Sequence, residues 1–75
     1  MKQLNEFMIE IRVHFEDSDA AILLPDTIFK KLESWDSLTK YSIIAFLQDE
    51  YNFQFSIEDF EEHPTPKAIF DLLNK

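Results

Sequence analysis

Asp36-Ser37-Leu38 is the tripeptide with the clearest chemical potential in this chain of 75 residues. A strongly periodic apolar segment begins at Ser37. The serine hydroxyl therefore stands at the mouth of a helix, directly after an acid able to cap it. A group esterified there would face backbone N–H groups that lack an intrahelical acceptor and the positive end of the helix dipole, and both favour a phosphate. Leu38 is expected to turn inward and fix the orientation of the serine. A catalytic serine would need an adjacent base and an oxyanion hole. The chain offers only His14, in the first helical segment, and His63, beside Pro64. A hydroxyl presented without a base points to a site modified by another enzyme, so no catalytic residue is expected.

Other constellations fall short of chemistry. Asp17 and Asp19 hint at calcium, but an EF-hand loop starting at Asp17 would put Ile22 at the glycine position and Ile28 at the bidentate acid. Cys is absent, which removes disulfides and thiolate metal sites, and the two His have no convergent ligands. No metal is expected. Gly is absent too, which excludes the phosphate-cradling loops of dinucleotide and nucleoside triphosphate sites. Glu58-Asp59 and Glu61-Glu62 read as a solvated helix face.

Fifteen acidic against seven basic side chains leave a net charge of −8, a field that repels nucleic acid and anionic lipid and attracts basic partners. No apolar run approaches the roughly 20 residues of a membrane span, and no signal peptide is read ahead of the first helix. A cytoplasmic monomer, binding neither nucleic acid nor membrane, is expected.

The elements that must position Ser37 are helical. From about Lys2 to Phe15, steps of three and four place Leu4, Phe7, Met8, Ile11 and Phe15 on one apolar stripe, which Ile9 and Val13 broaden. Glu16 to Asp36 has no long periodic element. Ile22, Leu23, Leu24, Ile28, Phe29 and Leu32 are expected to pin it to the core as an ordered crossover, with one helical turn starting at Asp26-Thr27. Trp35 reads either as a partner contact or as an aromatic lid over this loop. The strongest helix runs from Ser37 to about Tyr51, with Ile44, Leu47 and Tyr51 as its core stripe, widened by Ile43 and Phe46. A short helix follows at about Ile57–Glu62, where Ser56 and Asp59 have capping-box spacing. The last begins after Thr65 with Pro66 in its favoured first position, and buries Ile69, Leu72 and Leu73. The chain predicts a single domain over residues 1–75: an all-α, small four-helix bundle of three longer helices plus one short, with a long first loop.

Residues Asp26–Leu73, with the helix before them, resemble an acyl carrier protein. The likeness runs through Asp26-Thr27-Ile28-Phe29, Trp35-Asp36-Ser37-Leu38, Ile43-Ile44 and Leu47. It continues through Glu50-Tyr51, Phe55, Phe60, Thr65, Ile69 and Leu72-Leu73. The resemblance implies a four-helix carrier that catalyses nothing. It implies that Ser37 receives 4′-phosphopantetheine from coenzyme A, with Asp36 and Leu38 as recognition neighbours. The arm's thiol would hold acyl groups as thioesters for fatty acid, polyketide or related biosynthesis. The implied partners are a phosphopantetheinyl transferase, an acyl-loading ligase or acyltransferase, and ketosynthase-type enzymes. In two places the chain departs from the family. Ser34 stands where many carriers have Gly, and Thr39-Lys40-Tyr41-Ser42 replaces the acids that many fatty-acid carriers have after the serine. An aminoacyl or peptidyl carrier is the nearest alternative, and an unmodified helical interaction adaptor is the alternative from another class.

Overall fold

A computed structural model describes residues 3–74 of the chain. Five α-helices and one 3-10 turn follow one another as α1 (Leu4–Arg12), α2 (Asp17–Ile22), the 3-10 turn (Phe29–Lys31), α3 (Ser37–Tyr51), α4 (Asp59–Glu62) and α5 (Pro66–Leu73). The all-α architecture agrees with the sequence reading: α1, α3 and α5 are its longer helices and α4 its short one. The addition is α2, in the stretch read as a loop. The turn expected at Asp26-Thr27 is not helical. The helical backbone lies earlier, in α2, and later, in the 3-10 turn.

Lys2, where the first helix was expected to start, lies outside the described residues. At its other end α1 stops at Arg12, and a turn carries Phe15 onto the core, so the stripe outlasts the helix. Phe7, Met8 and Ile11 are buried, whereas Ile9 and Val13 are 64% and 75% exposed and do not broaden the buried face. Phe7 lies at the meeting of three helices. Its ring centroid is 5.6 Å from Phe70 of α5 and 6.1 and 5.9 Å from Phe46 and Tyr51 of α3. The stripe of α3 is centred one residue from its expected place: Ile43 and Leu47 are fully buried, and Ile44, Phe46 and Tyr51 are half-buried. The Tyr51 hydroxyl donates to Glu10 Oε1 at 2.7 Å, joining α3 to α1.

The long crossover is held by backbone as well as by side chains. Phe29 N–H donates to the Pro64 carbonyl at 2.9 Å, Lys67 N–H to that of Pro25 at 2.9 Å, and Arg12 Nη2 to that of Leu23 at 2.8 Å. Of its six expected anchors, Leu23, Phe29 and Leu32 are buried and Ile22, Leu24 and Ile28 are exposed. Three bonded carbonyls explain how so few side chains suffice.

The caps follow the local sequence. Asp59 Oδ2 accepts from Ser56 N–H at 2.9 Å, one half of the expected capping box. Thr65 Oγ1 accepts from Ala68 N–H at 3.1 Å, with Pro66 next in the chain. Replacing Thr65 with Ala is expected to lower stability by about 1 kcal/mol, read as a shift in the urea midpoint without a change in slope. At the end of α3, Asn52 takes a left-handed conformation (φ 51°, ψ 41°), and its N–H bonds the Gln48 carbonyl at 3.0 Å. In a chain without Gly, Asn is the residue best able to fill that position.

Candidate functional site

Asp36 is extended (φ −145°, ψ −177°) and caps α3, with Oδ1 accepting from Thr39 N–H at 2.9 Å. The Thr39 N–H above all holds this carboxyl below its usual range, so it stays an anion at neutral pH. Ser37 is the first helical residue and is exposed. Leu38 does not turn inward as expected: it is 80% exposed. The reason is angular. The buried face of α3 is set by Ile43 and Leu47, and Leu38 is five residues before Ile43, about 140° around the helix. Serine and leucine are thus presented together on the outside, with the capping acid beside them.

The turn before Ser37 is fastened on both sides. Ser34 N–H donates to Asp19 Oδ2 at 2.8 Å, the Ser34 hydroxyl donates to the same oxygen, and the Thr39 hydroxyl donates to the Ser34 carbonyl at 3.1 Å. On the apolar side, Trp35 is half-buried, with its ring centroid 4.8 Å from Phe29 and 6.2 Å from Phe15 and all three planes within 15° of one another. Phe60 meets Trp35 edge-on at 5.1 Å. Trp35 is therefore packed over the loop, in keeping with the lid reading, while Lys40 Nζ sits 5.6 Å from its ring centroid. Beside this cluster is a cavity of about 160 Å³, with Phe29, Trp35, Ile57 and Phe60 among its walls and a 2.7 Å ion pair, Lys30–Glu61, at its edge.

The hydroxyls divide by environment. Those of Ser34 and Ser42 are bonded, the latter to His14 Nδ1 at 2.6 Å. Thr27, Thr39 and Thr65 all make local bonds. Ser18, Ser37 and Ser56 are exposed, and of these only Ser37 opens the longest helix. His14 pairs with Ser42 rather than Ser37, and partial burial lowers its pKa and favours the neutral ring. His63 packs near Phe55, 6.2 Å between centroids. Among the described residues, no three His, Cys, Asp or Glu side chains are grouped so as to hold a metal ion, and no helix is long and apolar enough to cross a membrane.

The family model described as phosphopantetheine attachment site matches residues 16–73. The chain belongs to that family. No curated protein and no solved structure matches the chain significantly. As a member, this carrier binds 4′-phosphopantetheine covalently; carrier domains of this family are non-catalytic in general and meet a transferase and partner enzymes. The residues present fit the group: an exposed hydroxyl at the positive end of a 15-residue helix is both an esterifiable oxygen and a favourable place for a phosphodiester.

The sequence reading singled out Asp36, Ser37 and Leu38, and the fold places them together. It missed the roles of Asp19 and Thr39 and the His14–Ser42 pair. Asp19 was visible only as half of a discarded calcium pattern. Nothing local marks a side chain whose partner is 15 residues away.

Proposed function

We propose that Ser37 is the attachment point, with Asp36 and Leu38 as the neighbours by which a transferase recognises it, and that this carrier serves acyl groups. The observation that carries the reading is the exposed Ser37 hydroxyl at the Asp36-capped start of α3, inside the matched span. The bound arm ends in a thiol that holds its cargo as a thioester. The chain's own part is to present the serine, keep the Asp36 carboxylate from closing over it by engaging that group with Thr39, and offer an exterior that enzymes can grip. The acid directly before the serine favours an acyl over a peptidyl cargo.

After the capping Asp36, the first turns of α3 present Leu38, Lys40 and Tyr41 and no acid; the acids of α3 are Asp49 and Glu50 at its far end. Leu38→Ala should leave stability within about 0.5 kcal/mol, because the side chain is exposed. It should nevertheless lower transferase kcat/KM about fivefold, the effect of one apolar contact of about 1 kcal/mol. Unchanged kinetics would place recognition elsewhere.

The reading as a whole is tested by intact mass after incubation with coenzyme A and a broad-specificity transferase, followed by peptide mapping. One phosphopantetheine on Ser37 is expected; no addition, or addition at another serine, overturns it. Loading of the modified chain by acyl-activating rather than aminoacyl-activating ligases separates the acyl carrier from the peptidyl one.

A further inference from the structure

Asp19 is the one buried charged side chain among the described residues, 4% exposed, and it stands on α2. A carboxylate taken from water needs hydrogen-bond donors in return. Asp19 finds them in the segment that leads to Ser37. Ser34 supplies both its N–H, at 2.8 Å, and its hydroxyl. These bonds, the hydroxyl's first, hold the Asp19 carboxyl below its ordinary range against the opposing effect of burial, and the Glu33 N–H adds to them.

The series continues past Ser34. The Ser34 carbonyl accepts from the Thr39 hydroxyl at 3.1 Å, and the Thr39 N–H donates to Asp36 Oδ1 at 2.9 Å. An unbroken set of bonds therefore runs Asp19–Ser34–Thr39–Asp36, from α2 through the turn into the first turn of α3. It brackets Ser37 from both sides in sequence. Ser34 needs no left-handed backbone, since Asn52 is the only non-glycine residue with positive φ among those described. The hydroxyl that Ser34 offers Asp19 is one that a glycine there could not supply.

We propose that Asp19 is a positioning residue for modification of this carrier: acting through Ser34 and Thr39, it fixes the direction in which α3 leaves the loop and so the pose of the Ser37 hydroxyl before the transferase. The inference rests on the reading of Ser37 as the attachment point. Asp19 touches neither the serine nor the incoming group. Its effect is orientational, and misplacement by about 1 Å can cost up to about 100-fold in rate. The side chains that the transferase meets, Leu38 above all, are the same in every Asp19 variant, so the loss should fall on turnover more than on encounter.

The test follows arm transfer to the full chain with coenzyme A as donor, comparing wild type with Asp19→Ala, Asp19→Asn and Ser34→Ala. Asp19→Ala is expected to lower kcat about tenfold or more with KM changed by less than about twofold. Asp19→Asn keeps one acceptor oxygen and Ser34→Ala keeps one donor, so both should fall between it and wild type. Amide resonances supply the second readout. In Asp19→Asn both the Ser34 and the Thr39 N–H signals should move, although Asp19 bonds only the first. A side chain that merely stabilised α2 would leave Thr39 unmoved.

Wild-type kcat in a folded Asp19→Ala chain, or a stationary Thr39 amide, overturns the proposal. Should Asp19→Ala fail to fold, wild-type kcat in both Asp19→Asn and Ser34→Ala overturns it equally. Wild type that accepts no arm would bring down the Ser37 reading, and this inference with it. A modified wild type with unaffected variants brings down this inference alone.

Discussion

Ser37→Ala is expected to abolish phosphopantetheine addition altogether. The serine oxygen bonds to the pantetheine-bearing phosphorus of coenzyme A as the bond from that phosphorus to the bridging pyrophosphate oxygen breaks, adenosine 3′,5′-bisphosphate leaves and the hydroxyl proton is lost to solvent; alanine has no such oxygen. The chain has four other serines: Ser18, Ser34, Ser42 and Ser56. Ser34 is committed to Asp19 and Ser42 to His14. Ser18 lies in a helix of six residues, and Ser56 precedes one of four. None stands behind an acid that caps a long helix. Stability should hardly change, because Ser37 is exposed and the cap comes from Asp36, which remains. The informative comparison is Ser37→Ala beside Ser42→Ala, both scored by intact mass and by thermal melting. Full modification of Ser42→Ala and none of Ser37→Ala is the expected pair. An arm that still appears on Ser37→Ala would overturn the assignment.

The second large effect concerns the loop that delivers the serine. Phe29→Ala should destabilise the fold by about 3–5 kcal/mol. Phe29 is almost completely buried and touches every part of the aromatic cluster. Its centroid lies 6.0 Å from Phe15, 4.8 Å from Trp35 and 6.0 Å, edge-on, from Phe60. Removing the ring leaves a void against three neighbours that cannot all collapse onto it. Domains of this size have a total stability of about 4–11 kcal/mol, so the loss would take a large share. Urea unfolding reads it directly. A second consequence reaches the site, because Trp35 loses its nearest ring two residues before Ser37. Arm transfer to the fraction that remains folded should slow as well. An unchanged urea midpoint would mean that the crossover is held by the Phe29 N–H on Pro64 and by its Pro25 and Leu23 carbonyls on Lys67 N–H and Arg12 Nη2, without help from the Phe29 ring.

What the sequence revealed and what it hid divide by the range of the interactions. The start of α3, the Thr65-Pro66 start of α5 and the Ser56–Asp59 pairing were legible because a cap joins residues only three positions apart. The buried stripe of α1 was legible for a similar reason, since helical periodicity is local. Helix α2 was not: six residues make less than two turns, too few for a period to register, and its one fully inward side chain is an acid. The apolar residues Ile9, Val13 and Leu38 were placed too near the core because hydropathy gives type and not direction. Within the candidate site, Asp36 and Ser37 could be read from neighbours alone. Asp19 could not, because its partner Ser34 is brought to it by the crossover, and the fold must exist before that bond does.

Asn52, the single left-handed residue among those described, has a consequence for the denatured chain. A backbone that reverses and caps its helices with one such position and no glycine has surrendered the most permissive residue type everywhere else. Its disordered ensemble is correspondingly narrower, and each position where another residue replaces a glycine without strain lowers the entropic cost of folding by about 0.4–1 kcal/mol. For so small a domain, part of its persistence as a folded object originates in the state it leaves behind.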